Sequence, residues 1–224
     1  MKRNFLEIAC FNAESAAIAQ SAGADRIELC DDLAAGGITP GILTIEQVRT
    51  EAEIPLFIMI RPRGGDFVYT EKEFEQMKQE IAFIKRMGVD GFVFGILNED
   101  GTVDKQRNLE LVRLADPLSC TFHRAFDRVP DPFKAMEDVI ACGFRTILTS
   151  GKAAAASEGM PLLSCLVQDA KNRITIMPGG GVRSSSIAAL KQATNALFYH
   201  SSAITDKSGI ADQKEIKLMK EKLR

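Results

Sequence analysis

The sequence predicts a single α/β domain over residues 1–224, a (β/α)8 barrel of the TIM type with eight parallel strands. Three observations predict it. Eight short apolar, β-rich runs alternate with longer amphipathic segments along the whole chain, and such alternation implies a parallel sheet with helical crossovers. Near-repeated phrases, "SAGADRIEL", "RMGVDGFVF" and "ACGFRTILT", each read as helix end, glycine and strand start. Eight β/α units within 224 residues match the size of a closed barrel. The rival is an open doubly wound sheet. No GxGxxG follows the first strand run, which removes the usual dinucleotide-binding form of that sheet. No Pro/Ser-rich linker divides the chain.

The strand runs are, in order, 5–9, 26–30, 56–60, 91–96, 119–123, 145–149, 174–178 and 196–200. Helical patterns lie between them. The first has Asn12 as N-cap and stops at Gly23. A later one sets Phe74, Met77, Ile81 and Ile84 at helical spacing and stops at Gly88. Another has Asp131 as cap, Pro132 in the first turn and Gly143 at its end. The glycines supply left-handed C-caps that turn the chain into the next strand.

Composition excludes several function classes. The chain is 46% hydrophobic and 26% charged with a net charge of −2, so no nucleic-acid or anionic-membrane partner is expected. No apolar run approaches the length of a membrane span. "MKRNFLEIAC" is too short in its apolar part and too acidic for a secretory signal. A cytoplasmic location follows as the expectation. Cys10, Cys30, Cys120, Cys142 and Cys165 are scattered without CxxC spacing, so free thiols are expected and a structural zinc site is not.

In such a barrel the active site lies at the C-terminal ends of the strands, and side chains alternate inward and outward. By that parity Glu7 and Glu28 both face the barrel interior, where a lone carboxylate is costly unless paired. Arg61, at the end of the third strand, is the expected partner. The trio reads as a structural ion-pair network or as the floor of a polar pocket. The pocket reading gains from other groups expected at the same rim: His123, His200, Ser150 and Lys152. Arg63 lies in the "RPRGGDF" loop and reaches either ligand or solvent. In "TFHRAFD", Asp127 is placed to orient His123 for acid–base work, although a hydrogen-bonded structural histidine fits equally. Gly179, Gly180 and Gly181 allow backbone amides to approach an anion beneath the next helix N-terminus, with Ser201 from the eighth strand. The same glycines also suit a plain tight turn, and the nearby Lys152 favours the anion site.

The phrases "GADRIELC", "GGITPG", "MIRPRGGDF", "TFHRAFD", "LTSG", "PGGGV" and "HSSA" together resemble the copper homeostasis protein CutC family, in family order and from Glu7 to Ala203. The resemblance implies a TIM-like barrel, a cytoplasmic location, a homodimer and a role in copper handling. It implies Cu(I) held by cysteines at the ends of the first two strands, here Cys30 and Cys10. Cys30 matches the family position. The first-strand position falls on Ala9, and the thiol comes one residue later at Cys10, which starts on the outward face. A soft thiolate pair suits Cu(I) but must meet at one point. The chain also departs from the family after "HSSA", where a long basic loop is reduced. Three functions stand at this point. One is a copper-binding homeostasis protein. The second is a metal-free lyase or isomerase for a small anionic substrate, phosphorylated or not, with Glu7 or Glu28 as acid or base, His123 as partner and Arg61 as anion anchor. The third is a binding module without chemistry.

Overall fold

Helix punctuation sets the architecture. The computed structural model describes residues 3–224. Asn12 Oδ1 accepts from the Ser15 amide at 2.8 Å and starts helix α1 (Ala13–Ser21). Asp131 accepts from the Phe133 and Lys134 amides and starts α5 (Pro132–Ala141), with the proline in its first turn. Gly23, Gly88 and Gly143 sit at φ 89°, 78° and 94°. That left-handed backbone favours glycine and turns each helix end toward the next strand.

All eight predicted strands form, within one or two residues of their expected ends. They are β1 (Phe5–Cys10), β2 (Arg26–Leu29), β3 (Leu56–Met59), β4 (Gly91–Phe94), β5 (Ser119–Phe122), β6 (Thr146–Thr149), β7 (Thr175–Pro178) and β8 (Phe198–Ser201). The remaining helices are α2 (Ile42–Glu51), α3 (Glu71–Ile84), α4 (Lys105–Ala115), α6 (Met160–Ala170), α7 (Ser184–Thr194) and α8 (Gln213–Leu223). A 3-10 turn, Arg124–Arg128, follows β5. The parallel ladder runs β7-β6-β5-β4-β3-β2-β1-β8. The β7/β8 side of the ring is bridged by side chains: Arg183 Nη1 donates to Ser201 Oγ at 3.2 Å, and that hydroxyl donates to the Val182 carbonyl at 2.7 Å.

Strand parity divides the apolar residues into two cores. Leu6, Ile8, Cys10, Ile27, Leu29 and Ile58 point outward and pack under the helices. Phe74, Met77, Ile81 and Ile84 are buried against that layer, as their spacing predicts. Inside the barrel Cys30, Phe57, Met59 and Val93 form a small separate cluster. The inner cluster is small because polar side chains fill the rest of the lumen.

Two glycines on β4 and its extension make room for Phe57 and His123. A Cβ on Gly91 would lie 2.4 Å from Phe57 Cζ and 2.6 Å from the Ser119 carbonyl oxygen. One on Gly95 would lie 2.8 Å from His123 Nδ1. Gly91→Ala is expected to destabilise the barrel by about 1–3 kcal/mol through overpacking, read as a lower urea midpoint with an unchanged slope.

Candidate functional site

The polar interior starts from β-sheet register. Glu7 on β1 lies beside Arg26 on β2 and His200 on β8, so three inward side chains share one layer. Arg26 Nε donates to Glu7 Oε2 in a buried ion pair. His200 Nδ1 is 2.7 Å from Glu7 Oε1. The Arg26 guanidinium lies 4.1 Å from the Phe57 ring centroid, a cation–π contact of a planar cation with an apolar wall. Glu28 stands two residues further along β2 and 1% exposed. Its Oε2 lies 3.3 Å from His200 Nδ1 without hydrogen-bond geometry, and its Oε1 accepts from Cys30 Sγ at 3.6 Å.

The two carboxylates therefore titrate apart. Burial pushes Glu7 upward, but Arg26 and His200 outweigh it and hold Glu7 below the ordinary carboxylate range. Glu28 has no cation of its own. Burial first, and the charge of Glu7 next, push Glu28 up to about 7 despite the opposing pull of His200. Burial depresses His200, yet Glu28 and Glu7 together raise it above the usual histidine value.

Arg61 does not pair with these carboxylates, contrary to the sequence expectation. Its Nη1 donates to the carbonyls of Ala35 and Gly37 at 2.9 Å each, and its Nη2 to that of Gly65 at 3.2 Å. It ties the loops after β2 and β3 across the barrel mouth. The partner in the lumen is Arg26, which the sequence reading passed over. The signal was present: Arg26 precedes Glu28 by two residues and so shares its inward face.

His123 follows β5 and is 2% exposed. Asp127 does not orient it. The His123 Nδ1 accepts from the Ala125 amide at 3.3 Å, which places any ring proton on Nε2. Burial and then the nearby Arg61 push His123 down to about 3, so it is a neutral imidazole. Phe67 lies 4.8 Å from the His123 ring centroid and 4.8 Å from the Arg61 guanidinium, between the two. Asp127 instead accepts from Thr149 Oγ1 at 2.5 Å, from the Ser150 amide at 3.1 Å, and from Arg124 Nε at 2.8 Å.

The other predicted groups divide between the mouth and its supports. Arg63 is held by Glu73 and Asp66 on the outside. Lys152 Nζ is turned to the carbonyls of Val129 and Pro130. Ser201 seals the β7/β8 seam. The N-terminus of α7 is already taken, because Glu215 accepts from the Ser184 amide at 2.6 Å and from its hydroxyl at 2.8 Å. The dipole of α7 is thus met from within the protein. Cys30 faces the lumen and Cys10 the helix layer, so the two thiols stand on opposite faces of the sheet.

Glu28, Cys30, Arg61, His123, Arg124 and His200 contribute to the lining of one cavity of about 100 Å³ at the mouth. Among the described residues, Glu28 Oε2, Arg61 Nε and His123 Nε2 are buried without a hydrogen-bond partner. Each such atom costs about 1–3 kcal/mol, and the three residues that carry them all line this cavity. Glu7, Glu28 and His200 also offer three donor atoms within 4.8 Å of one another. That set is two carboxylates and an imidazole with Arg26 already on one of them. It does not fit Cu(I), which prefers soft sulfur ligands, and burial and Glu28 push the one inward thiol, Cys30, well above its ordinary range.

These shifts set a pH dependence of stability. A raised carboxyl makes the folded state bind the extra proton more tightly, so its contribution falls as pH climbs from the unfolded value through the folded one. Glu28, raised to about 7, and His200, also raised, act in this same sense. Glu7 acts oppositely, and its contribution is lost only as pH falls below the ordinary carboxylate range. Melting temperature should therefore decline between about pH 5 and pH 8, and Glu28→Gln should flatten that decline; an unchanged slope in the variant would contradict the assigned environment.

Comparison with known proteins places the chain. The CutC family profile matches residues 4–205. The human copper homeostasis protein cutC homolog is 46% identical over 198 residues, covering 88% of this chain and 72% of that protein. The CutC family protein of Chromobacterium violaceum is 46% identical over 198 residues, with 88% and 80% covered. The crystal structure of CutC from Streptococcus agalactiae superposes with a TM-score of 0.84 at 33% identity, over 89% of this chain and 98% of that one. Phosphoribosyl anthranilate isomerase from Thermotoga maritima shares the barrel fold, with a TM-score of 0.66 at 14% identity over 98% of each chain. Profile, identity and coverage agree that this chain belongs to the CutC family.

Proposed function

We propose that the barrel mouth is an acid–base site for a small anionic substrate, of the isomerase or lyase type. The observation that carries the reading is that Glu28, Arg61 and His123, each with a buried polar atom that lacks a hydrogen-bond partner, all line one cavity. The roles follow from their states. Glu28, raised to about 7, can take or return a proton near neutral pH. His123 is neutral and offers an Nε2 proton to a developing negative oxygen. In such a step the Glu28 carboxylate takes a proton from the carbon beside a carbonyl. The electron pair moves to the carbonyl oxygen, where His123 holds it. Return of the proton to a different atom gives the isomer. Glu7, Arg26 and His200 set the protonation of Glu28.

A thermal-shift screen of small phosphorylated and carboxylated metabolites tests this reading, with turnover of the hits followed by NMR. A hit should be turned over with a pH profile centred near the Glu28 value. Glu28→Gln should reduce kcat by about 10²–10⁴-fold, the usual worth of a general acid or base. A screen in which nothing shifts the melting temperature, or a turnover that survives Glu28→Gln, overturns it.

Copper enters as a second reading, favoured by the copper homeostasis proteins among the chain's relatives. With only Cys30 inward, an anaerobic Cu(I) titration against a chelator of known affinity is expected to show no tight binding. Tight one-to-one binding lost in Cys30→Ser would instead support a metal centre on β2.

A further inference from the structure

Arg124 is the one mouth-lining arginine that is both fixed in place and open to the cavity. Its Nε donates to Asp127 Oδ2 at 2.8 Å and its Nη2 to Ser150 Oγ at 3.0 Å. Both partners are themselves braced, Asp127 by Thr149 Oγ1 at 2.5 Å and Ser150 by the Ala153 carbonyl at 2.6 Å. The third nitrogen, Nη1, has no partner among the described residues, and the side chain is 43% exposed. Arg61, by contrast, spends both terminal nitrogens on loop carbonyls.

Gly180 stands against this guanidinium. A Cβ there would lie 3.1 Å from Arg124 Cζ and 3.2 Å from Nη1, and the backbone is at φ 101°. The absence of a side chain keeps the free edge of Arg124 open. No protein acceptor takes the amides of Gly180 and Gly181 among the described residues. A fixed guanidinium edge beside two free amides presents several donors to one group, which suits the many acceptor oxygens of a phosphate. The loops after the seventh and eighth strands are where barrels of this class commonly hold phosphate.

We infer that Arg124, with the Gly180–Gly181 backbone, binds a phosphate group on the substrate, and that Arg61 does not. The inference rests on the acid–base reading of the mouth and names its substrate class as a phosphate monoester. Asp127 and Ser150 are then positioning residues, which hold the guanidinium for its ligand.

Inorganic phosphate titrated into the intact chain, followed by phosphorus NMR with acetate and chloride as controls, tests it. Phosphate should bind more tightly than acetate. Arg124→Gln should weaken phosphate by about ten- to a hundredfold, the loss of a charge-assisted pair. Arg124→Lys, which keeps charge without the fork, should fall between, and it carries the test if the glutamine variant does not fold. Phosphate binding that depends on Arg124, with no turnover of any screened metabolite, would overturn the acid–base reading and leave this inference standing. Equal phosphate affinity in wild type and both Arg124 variants, or phosphate binding no better than acetate, overturns it.

Discussion

The ion pair between Glu7 and Arg26 is the interaction on which the interior depends. Two carboxylates inside a barrel cannot both stay charged without partners. Register puts Arg26 and His200 on either side of Glu7, and both bind it. The pairing is spent on one carboxylate. Glu28, one layer nearer the mouth, receives only the edge of His200 and the thiol of Cys30. Its proton affinity rises because it is buried, and because the charged Glu7 stands beside it. The inequality between two chemically identical side chains comes from their place along the strands, and such unequal pairs mark acid–base sites.

The mouth is built on the same economy of arginines. Arg26 neutralises charge in the lumen, Arg61 ties loops together, and Arg124 is braced by an acid and a hydroxyl. Arg61 meets carbonyls from two different loops and packs on Phe67, which in turn covers His123. Those contacts make the histidine dry and its imidazole neutral. A pocket whose walls hold themselves in place needs little rearrangement to receive a ligand, which lowers the cost of binding.

The fold was legible because its signals are local. Eight apolar runs, the caps at Asn12 and Asp131 and the glycines at 23, 88 and 143 each act within a few residues of themselves. Strand parity also carried over: Glu7, Glu28, Met59 and Cys30 are inward and Cys10 outward, as alternation requires. Partner choice was less legible. Arg61 follows the inward parity of Met59, yet it sits beyond the strand end, where loop carbonyls compete for it and win. Asp127 is close to His123 in sequence, but a 3-10 turn directs it to Thr149 and Ser150 on the next strand. The Glu215 cap on α7 comes from 31 residues away and leaves no local trace. Periodicity names the face of a side chain; only the three-dimensional neighbourhood names its partner.

The two thiols show how far family membership constrains chemistry. The family name directs attention to copper, and a Cu(I) site needs sulfur atoms that converge. One residue of offset on β1 puts Ala9 inward and Cys10 outward, because side chains alternate strictly along an extended strand. No rotamer change carries a side chain through the sheet. What the lumen presents instead is oxygen and nitrogen, with an arginine already on the first carboxylate. The same barrel can therefore keep the family's sequence motifs while its inward surface lacks the converging pair of thiols that a soft metal ion requires.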